Sequence, residues 1–312
     1  MNILLIDPFP EQMLASIAAI GHPFQYAPDW TKAEILANLA DIDILVMNSK
    51  VNADEELLKH GPRLKMICRA GVGMDHFDLP LLESRGILAF NTPGANAIPV
   101  AEQAVGMLLS LLHNVVRADR EVHAWKWERE RNRGTELYGK TVGIIGFGNA
   151  GSAMARCLSG FGCRILAYDK YKTGFASESV EEVGMDQIFA ESDILTLHIP
   201  LTDETQGWVD TGFFNKFHKP IWFLNLSRGP IVPLAGLIRA IESGKVRGAG
   251  LDVLENEKLD SLTTEQRERL SRLFENDRVI ITPHIGGWSH ESLERINDRL
   301  VDAIADFVRI KA

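Results

Sequence analysis

Short apolar runs alternate with amphipathic stretches along the chain. In the first hundred residues, the runs at 2–7, 43–47, 64–69 and 86–90 predict β-strands, and the stretches at 31–39 and 53–60 predict helices. Strands that alternate with helices are typical of a parallel sheet covered by helices on its faces. We therefore predict an α/β domain in this part of the chain.

A second alternating series begins at Thr141. Its predicted strands are 141–147, 163–169, 193–199, 221–227, 248–253 and 278–283. The segment "NTPGANAIP" (91–99) is rich in turn formers and marks a boundary, and one long helix over about 98–118 is predicted after it. A last predicted helix, about 289–309, returns the chain to the first domain. The first domain is thus expected to be discontinuous in sequence.

The segment "TVGIIGFGNAGSAMA" (141–155) places three glycines between a predicted strand and a predicted helix. Gly146 permits a tight turn, Gly148 lets the backbone approach a pyrophosphate, and Gly151 lets the helix pack closely on the strand. Free N–H groups at the helix start, near Asn149 and Ala150, favour negative phosphates.

Asp169 closes the next predicted strand. Its carboxylate can accept hydrogen bonds from an adenosine ribose and would repel a 2′-phosphate. The pattern predicts a dinucleotide site that prefers NAD to NADP, with Lys170 and Lys172 as a mild counter-signal. A structural glycine turn with a solvated aspartate is the alternative.

Composition excludes several other classes of protein. The chain has 312 residues, ordinary apolar and charged fractions and a net charge of −9, which argue against a nucleic-acid-binding surface. The most apolar run, 105–116, is too short to span a bilayer, and we see no secretory leader, so we expect a cytoplasmic protein without membrane contacts. Cys68, Cys157 and Cys163 lack metal-ligand spacing, and we expect reduced thiols and no metal.

Polar side chains follow several strands of the second series. Ser227 and Arg228 follow one strand, Asp252 and Glu257 the next, and His284 the last. In an open parallel sheet, ligands bind beyond the carboxyl ends of the strands. An arginine, an acid and a histidine are therefore expected where the reactive end of a dinucleotide would lie.

With these motifs the chain resembles the D-isomer-specific 2-hydroxyacid dehydrogenases and, among them, most closely the phosphoglycerate dehydrogenases. The resemblance covers nearly the whole chain and is carried by "RAGVGMDHFDL" (69–79), "NTPGANAIPVAEQAVGMLL" (91–109), "WERERNRGTELYGKTVGIIGFGNAG" (127–151), "LHIPLTDETQG" (197–207), "NLSRGPIV" (225–232), "GAGLDVLENE" (248–257) and "TPHIGG" (282–287). It implies two Rossmann-like domains with parallel sheets: a flavodoxin-like substrate-binding domain of residues 1–97 and 288–312, and an NAD-binding Rossmann domain of residues 98–287.

The resemblance also assigns residues. The family's catalytic arginine, glutamate and histidine fall on Arg228, Glu257 and His284. Its cofactor contacts fall on Asn149, Ala150, Asp169, Ile199, Leu226, Ser227, Asp252 and Gly286, beside the glycines of the turn. Its substrate-carboxylate loop falls on Gly71, Val72 and Gly73. A homodimer through the NAD-binding domain is implied as well.

The chemistry of these side chains fits the implied roles. His284 can exchange the hydroxyl proton of a 2-hydroxy acid, a Glu257 carboxylate beside it would favour the imidazolium, and the planar fork of Arg228 suits a carboxylate and an adjacent carbonyl oxygen. The alternatives are a surface salt bridge for Arg228, a solvated Glu257 and a structural His284. His198, also at a strand end, is a rival base, but a structural role is favoured for it because a second base is not needed.

The substrate is the least constrained expectation. The matched motifs favour oxidation of 3-phosphoglycerate to 3-phosphohydroxypyruvate, a step of serine biosynthesis. Arg129, Arg131 and Arg133 are candidates to supply positive charge for the phosphate across a dimer, and a solvated basic loop is the alternative for them. Two features argue against this substrate. The region where those enzymes often carry an arginine has Asn48 and Lys50 instead, and the bulky Trp288 is expected to narrow the substrate pocket. These departures favour a smaller acid, such as glyoxylate, hydroxypyruvate or lactate.

A function of another class stays open beside the enzyme, namely an NAD(H)-sensing protein similar to the corepressors that share this fold. The lack of an added tail favours the dehydrogenase, and we expect no regulatory domain after the catalytic core. The charged segment 258–277 is expected to be helical, along an uncertain path.

Overall fold

The computed structural model describes residues 1–311, which divide into two compact units. Unit 1 comprises Met1–Asn96 and the segment from Ser289 onward, and unit 2 comprises Ala97–Trp288. These bounds lie within one residue of the domain limits expected from the sequence. No helix among residues 1–311 is both long and apolar enough to cross a bilayer.

Unit 1 is built on a five-stranded parallel sheet. Its strands are β1 (Ile3–Leu5), β2 (Phe24–Tyr26), β3 (Ile44–Met47), β4 (Met66–Arg69) and β5 (Leu88–Phe90), in the order β2-β1-β3-β4-β5. This is the flavodoxin order, in which the strand sequence reverses between β1 and β3. The connecting helices are α1 (Glu11–Ala19), α2 (Lys32–Ala37), α3 (Glu55–His60) and α4 (Leu79–Ser84).

Strand β2 was not predicted from the sequence. All three of its residues are exposed at the edge of the sheet, so it lacks the apolar signal that marks the central strands. Its backbone pairs with β1 in parallel, with Phe24 opposite Ile3. Tertiary pairing, rather than hydrophobic pattern, makes this segment a strand.

Unit 2 begins with two helices, α5 (Ala97–Leu112) and α6 (Val115–His123). The single long helix predicted over about 98–118 is therefore wrong. The chain breaks at Asn114, whose φ of 55° is left-handed and cannot continue a right-handed helix. Asparagine is among the few residues that adopt this conformation readily.

A seven-stranded parallel sheet forms the centre of unit 2, in the order β12-β11-β10-β9-β6-β7-β8. The strands are β6 (Thr141–Ile145), β7 (Arg164–Tyr168), β8 (Glu181–Glu182), β9 (Ile194–Leu197), β10 (Ile221–Asn225), β11 (Val246–Leu251) and β12 (Val279–Ile281). The helices are α7 (Asn149–Leu158), α8 (Met185–Glu191), α9 (Thr211–Asn215), α10 (Leu234–Glu242) and α11 (Thr264–Phe274). Counted from β6, this is the Rossmann order with one added edge strand.

Apolar side chains cover both faces of this sheet. One cluster lies under α8, α9 and α10 and includes Phe214, Phe217 and Phe223, and the other lies under α5 and α7 and includes Leu108, Met154 and Leu224. Strands buried on both faces read as continuous apolar runs, which explains why β6, β9 and β10 were predictable. Helix α11 lies within the segment expected to be helical, and Thr263 caps it.

The last helix, α12 (His290–Lys311), returns to unit 1 and packs against α1. Its buried apolar residues recur every fourth position, at Ile296, Leu300, Ile304 and Val308. They share a core cluster with Ile3 and Leu5 of β1. This stripe is the physical reason that unit 1 is discontinuous in sequence.

Candidate active site

The glycine turn of unit 2 has the geometry that the sequence predicts. Gly146 has a φ of 91°, and a Cβ there would collide with the backbone of His198 and lie 2.8 Å from Cγ2 of Ile199. A Cβ on Gly151 would strike the carbonyl oxygen of Gly146. Both positions therefore require glycine for the turn and for the approach of α7 to β6.

Gly148 differs from its two neighbours in the turn. A Cβ on Gly148 would meet no heavy atom within 4 Å, so the space beside it is open. The helix α7 starts at the next residue, Asn149, which is exposed, and no side chain caps the helix. Its first N–H groups therefore point toward this space and can bind phosphate oxygens, which is the fit that a dinucleotide requires.

Asp169 lies at the end of β7 and its carboxylate is held by three backbone N–H groups. Oδ2 accepts from Phe147 at 2.7 Å, and Oδ1 accepts from Tyr171 at 2.9 Å and from Lys172 at 3.0 Å. Partial burial raises the pKa of Asp169, but these hydrogen bonds together outweigh it and bring the pKa below its usual value. The carboxylate is thus ionised and fixed beside the glycine turn.

Of the two lysines after Asp169, Lys170 is engaged elsewhere, whereas Lys172 stays beside the glycine turn. Lys170 forms an ion pair with Glu204, and Lys172 Nζ donates to the carbonyl of Phe147 at 3.2 Å. The counter-signal for a 2′-phosphate therefore rests mainly on Lys172.

Glu257 and His284 lie 27 residues apart in sequence and form a pair at the carboxyl edge of the sheet of unit 2. Nδ1 of His284 is 2.9 Å from Oε2 of Glu257, and the two side chains are 47% and 45% exposed. The hydrogen bond and charge of Glu257 raise the pKa of His284 against the opposing effect of burial. Burial raises the pKa of Glu257, but the bond to His284 and its charge lower it overall.

The backbone at His284 is strained. Its φ of 57° lies in the left-handed region, which costs a non-glycine residue about 1–3 kcal/mol. Its N–H donates to the carbonyl of Thr282 at 3.0 Å, so the chain turns tightly here. Such strain persists only where surrounding contacts fix the conformation.

Arg228 follows β10, on a turn that Asn225 holds. Oδ1 of Asn225 accepts from the N–H of Ser227 at 3.0 Å and from its hydroxyl at 2.7 Å, and Nδ2 donates to the carbonyl of Arg228 at 3.1 Å. Next in the chain, a Cβ on Gly229 would collide with the backbone of Leu254. This close approach brings the turn of Arg228 beside the loop that carries Glu257, and Arg228 lowers the pKa of Glu257.

Asn225 was missed in the sequence analysis. Its side chain is 1% exposed and all its polar groups are used within the turn. A buried asparagine at a strand end, directly before a Ser-Arg-Gly turn, is the signal that could have found it. The hydroxyl of Ser227, expected to contact the cofactor, is bound to Asn225.

Asp252 follows β11 and is 1% exposed. Oδ2 accepts from the N–H of Gly286 at 2.7 Å, and Oδ1 accepts from the N–H of Ile285 at 2.9 Å. A Cβ on Gly286 would lie 2.9 Å from Oδ2 of Asp252 and 3.5 Å from Leu226, so glycine is needed for this approach. Asp252, expected as a cofactor contact, therefore binds the loop that carries His284, and a cofactor contact by it stays a prediction.

His198 does not form a rival acid–base pair. Its Nε2 lies 3.0 Å from the hydroxyl of Thr196. Desolvation of its ring lowers the pKa of His198 to about 4, although the residue as a whole is only partly buried. A neutral imidazole bound to a threonine beneath the glycine turn fits the structural role favoured from the sequence.

The loop of Gly71, Val72 and Gly73 lies in unit 1, directly after β4. The N–H of Gly71 donates to the carbonyl of Arg69 at 2.8 Å, while the carbonyl of Val72 accepts from Nδ2 of Asn91 at 2.6 Å. Within residues 1–311, the N–H groups of Val72 and Gly73 make no hydrogen bond. They are the two donors that this loop offers to a ligand, whereas that of Gly71 is used.

Arg69 is a cation beside this loop that the sequence analysis did not single out. A Cβ on Gly71 would collide with the guanidinium of Arg69, so the side chain lies directly over the loop.

Among residues 1–311, no group of three or more His, Cys, Asp or Glu side chains is arranged to bind a metal ion.

Comparison with known proteins adds to this geometry. Residues 105–286 match the family described as D-isomer specific 2-hydroxyacid dehydrogenase, NAD binding domain. A hydroxypyruvate reductase of Thermotoga maritima is 37% identical over 273 residues, which cover 88% of this chain and 87% of that protein.

The names of two further similar proteins refer to other substrates. A D-3-phosphoglycerate dehydrogenase of Mycobacterium leprae is 33% identical over 296 residues, 93% of this chain, but the chain spans only 54% of its length. The solved D-lactate dehydrogenase of Aquifex aeolicus, complexed with NAD and lactic acid, superposes with a TM-score of 0.89 at 28% identity, over 99% of this chain and 96% of that one.

Proposed function

The chain belongs to the D-isomer specific 2-hydroxyacid dehydrogenases and its cofactor is NAD, and within that family we propose that it acts on a short, unphosphorylated 2-keto acid, hydroxypyruvate first among them. The observation that carries the chemistry is the Glu257–His284 pair, 2.9 Å apart. The choice of substrate rests on the contacts of the arginines that were expected to bind a phosphate.

His284 is the proposed acid and base. Glu257 holds Nδ1 and raises the pKa of His284, which leaves Nε2 to carry the proton that is exchanged with the substrate oxygen. Bound NAD supplies the acceptor or donor of the hydride at C2 of the substrate. In the direction of reduction, protonated His284 gives its proton to the carbonyl oxygen, and Glu257 stabilises the charge beforehand.

Arg228 is the proposed electrophilic partner. Its guanidinium is always charged and offers a planar fork of donors, which suits a carboxylate oxygen together with the neighbouring carbonyl oxygen. Asn225 fixes the backbone of its turn. In unit 1, the N–H groups of Val72 and Gly73 are proposed to bind an anionic group of a ligand.

The arginines expected to meet a phosphate are largely engaged. Arg131 pairs with Glu121 at 2.9 Å and with Asp277 at 3.2 Å, and Glu121 is 7% exposed, so Arg131 neutralises a buried carboxylate. Arg133 pairs with Glu130 at 2.5 Å. Lys50, which stands near the position of the missing arginine, donates to the carbonyl of Ile6 at 2.7 Å.

These contacts favour a substrate without a phosphate. A phosphate that leaves water needs charge-assisted hydrogen bonds, worth about 1.5–3 kcal/mol each. Arg131 would have to divide its donors between the phosphate and Glu121, and a weaker ion pair would leave the buried charge of Glu121 less well compensated. Hydroxypyruvate differs from phosphohydroxypyruvate only by this group.

Oxidation of 3-phosphoglycerate is the second candidate. The observations that favour it are the phosphoglycerate dehydrogenases among the relatives and the cation Arg69 beside the loop of unit 1. Arg129, for which no ion pair is found within residues 1–311, is the remaining arginine of the three.

The test compares kcat/KM for reduction of hydroxypyruvate and phosphohydroxypyruvate, followed at the absorbance band of NADH. Equal or higher kcat/KM with hydroxypyruvate supports the proposal. A preference for the phosphorylated compound that falls about 10- to 150-fold in Arg129→Ala would establish the second candidate instead. Lys126→Ala, on the same exposed segment, is the matched control for loss of one positive charge.

An NAD(H)-sensing role is tested by the same assay. A sensor binds NADH, which quenches or shifts the protein fluorescence, yet turns over none of glyoxylate, hydroxypyruvate, pyruvate and phosphohydroxypyruvate. Turnover of any of them at a rate that His284→Ala abolishes excludes a sensor without catalysis.

A homodimer through unit 2 is the proposed assembly. Trp125 is 96% exposed and Trp127 is 79% exposed, and Val115, Val116 and Val122 of α6 are about half exposed. Large apolar side chains grouped on one segment mark an interface. Sedimentation velocity should give a dimer that Trp127→Glu weakens and that Ile310→Glu, on another exposed surface, does not.

A further inference from the structure

Three side chains of unit 2 form a closed set of hydrogen bonds behind the loop of His284. Gln103, on α5, donates from Nε2 to Oδ1 of Asp252 and to the hydroxyl of Thr282, both at 2.9 Å. The hydroxyl of Thr282 in turn donates to the same Oδ1 at 2.5 Å. The carboxylate only accepts, so the amide nitrogen of Gln103 must face it.

This set of bonds joins elements that are distant in sequence. Gln103 and Asp252 are 149 residues apart, and Gln103 and Thr282 are 179 apart. Asp252 directly follows β11 and Thr282 directly follows β12, so the helix α5 ties the ends of two neighbouring strands together. Both N–H bonds of one amide group are used for this purpose.

The carboxylate of Asp252 transmits the arrangement to His284. It binds the N–H groups of Ile285 and Gly286, the two residues after His284. His284 itself has a left-handed φ of 57°, and its N–H donates to the backbone carbonyl of Thr282. The strained backbone of His284 is therefore held from both sides by residues that Gln103 contacts.

We propose that Gln103 is a positioning residue for the acid–base histidine, acting through Asp252 and Thr282. The inference rests on the proposed function in one respect, that His284 carries the proton. Gln103 has no hydrogen bond to His284 and takes no part in proton transfer. Its amide holds the side chains of Asp252 and Thr282, the two residues that bind the backbone of the loop.

The physical basis is the number of donors around a buried carboxylate. Oδ1 of Asp252 accepts bonds from Gln103, Thr282 and the N–H of Ile285. If the amide is lost, Oδ1 of Asp252 and the hydroxyl of Thr282 each lose one partner, and the tie from α5 to the ends of β11 and β12 is broken. The imidazole of His284 then departs from the position that Glu257 and the substrate require.

Gln103→Met tests this, because methionine has a similar length and no donor. We expect kcat to fall about 10- to 100-fold, since misplacement of a reacting group by about 1 Å can cost that much. KM for NADH should change less than threefold. Asp252 and Glu257 both raise the pKa of His284, so its looser placement should shift that pKa downward.

The pKa of His284 is measured without cofactor or substrate, from the NMR titration of isotope-labelled histidine side chains, with the His284 signal assigned by its loss in His284→Asn. Val105→Ala is the matched control, since Val105 lies on the same helix and packs only in the apolar core. It should lower the unfolding temperature and leave both kcat and the pKa of His284 unchanged.

Thr282→Val removes the hydroxyl from the same set of bonds while keeping the size of the side chain, and it carries the test if Gln103→Met does not fold. The double variant should cost no more than the larger single effect, because the two residues act as a unit. Additive losses, or a Gln103→Met protein that matches Val105→Ala in kcat and in the pKa of His284, would overturn the proposal. If His284→Ala retains activity, the proposed function fails, while the NMR titration still decides the role of Gln103.

Discussion

The Glu257–His284 pair makes a prediction about pH dependence. In Glu257→Gln the hydrogen bond to Nδ1 is kept in altered form, but the negative charge is lost. Both side chains are about half exposed, 47% and 45%, so solvent screens their attraction and about 1 kcal/mol is a reasonable value for it. Since about 1.4 kcal/mol corresponds to tenfold, the protonation equilibrium of His284 should change about fivefold.

The sign follows from which form of His284 the reaction uses. Glu257 raises the pKa of His284, so the imidazolium persists to higher pH in the unaltered protein. Reduction of a 2-keto acid consumes that proton, so kcat/KM is highest below the pKa of His284 and falls as pH rises through it. In Glu257→Gln this falling limb should move to lower pH, and the rising limb for oxidation should move the same way.

The assay is kcat/KM for both directions between pH 5 and 10. On the alkaline side of the profile, Glu257→Gln should reduce the rate of reduction about fivefold from the protonation equilibrium alone. Asp260→Asn, an exposed carboxylate on the same loop, is the matched control and should leave the limb in place. A profile of Glu257→Gln with its limb where that of Asp260→Asn lies would refute the role given to Glu257.

Three further predictions concern other contacts. Arg228→Lys keeps the charge but loses the planar fork, so kcat/KM for the keto acid should fall about 10- to 150-fold, and a rate near that of the unaltered enzyme would contradict its role. Asp169→Ala removes a fixed carboxylate beside the glycine turn, so the ratio of kcat/KM for NADH to that for NADPH should drop; an unchanged ratio would show that Asp169 does not discriminate. Burial lowers the pKa of His198 to about 4 in the folded protein, so as pH falls below about 6.5 the histidine binds a proton in the unfolded chain first. The free energy of unfolding should therefore decline between that pH and about 4, by at most about 1.4 kcal/mol per pH unit. In His198→Gln that decline, measured by urea titration at several pH values, should become smaller, and an identical slope would mean that another group is responsible.

The sequence determined those features that depend on local backbone and on repeating pattern. Strands such as β6, β9 and β10 are buried on both faces, so each appears as a continuous apolar run. The glycine turn was equally predictable from the sequence. The backbone at Gly146 and Gly151 leaves no room for a side chain, so only glycine fits these positions. The polar residues that follow predicted strands, together with the family resemblance, made Arg228, Glu257 and His284 the candidate site residues.

Tertiary structure decided what depends on contacts between distant residues. The break at Asn114 leaves no strong trace in an apolar run, because asparagine can adopt a left-handed φ but does not require it. The exposed edge strand β2 exists because β1 offers it a pairing partner.

The same holds for the site. Nothing in the segment around Gln103 indicates that its amide meets Asp252, 149 residues away, or that Arg131 is bound to the buried Glu121. Hydrogen bonds of this kind are selected by the folded geometry, since any polar side chain can make them and only the packed chain brings one donor to one acceptor. The candidate reacting groups could therefore be named from the sequence, whereas the strained, supported position of His284 was decided by the fold.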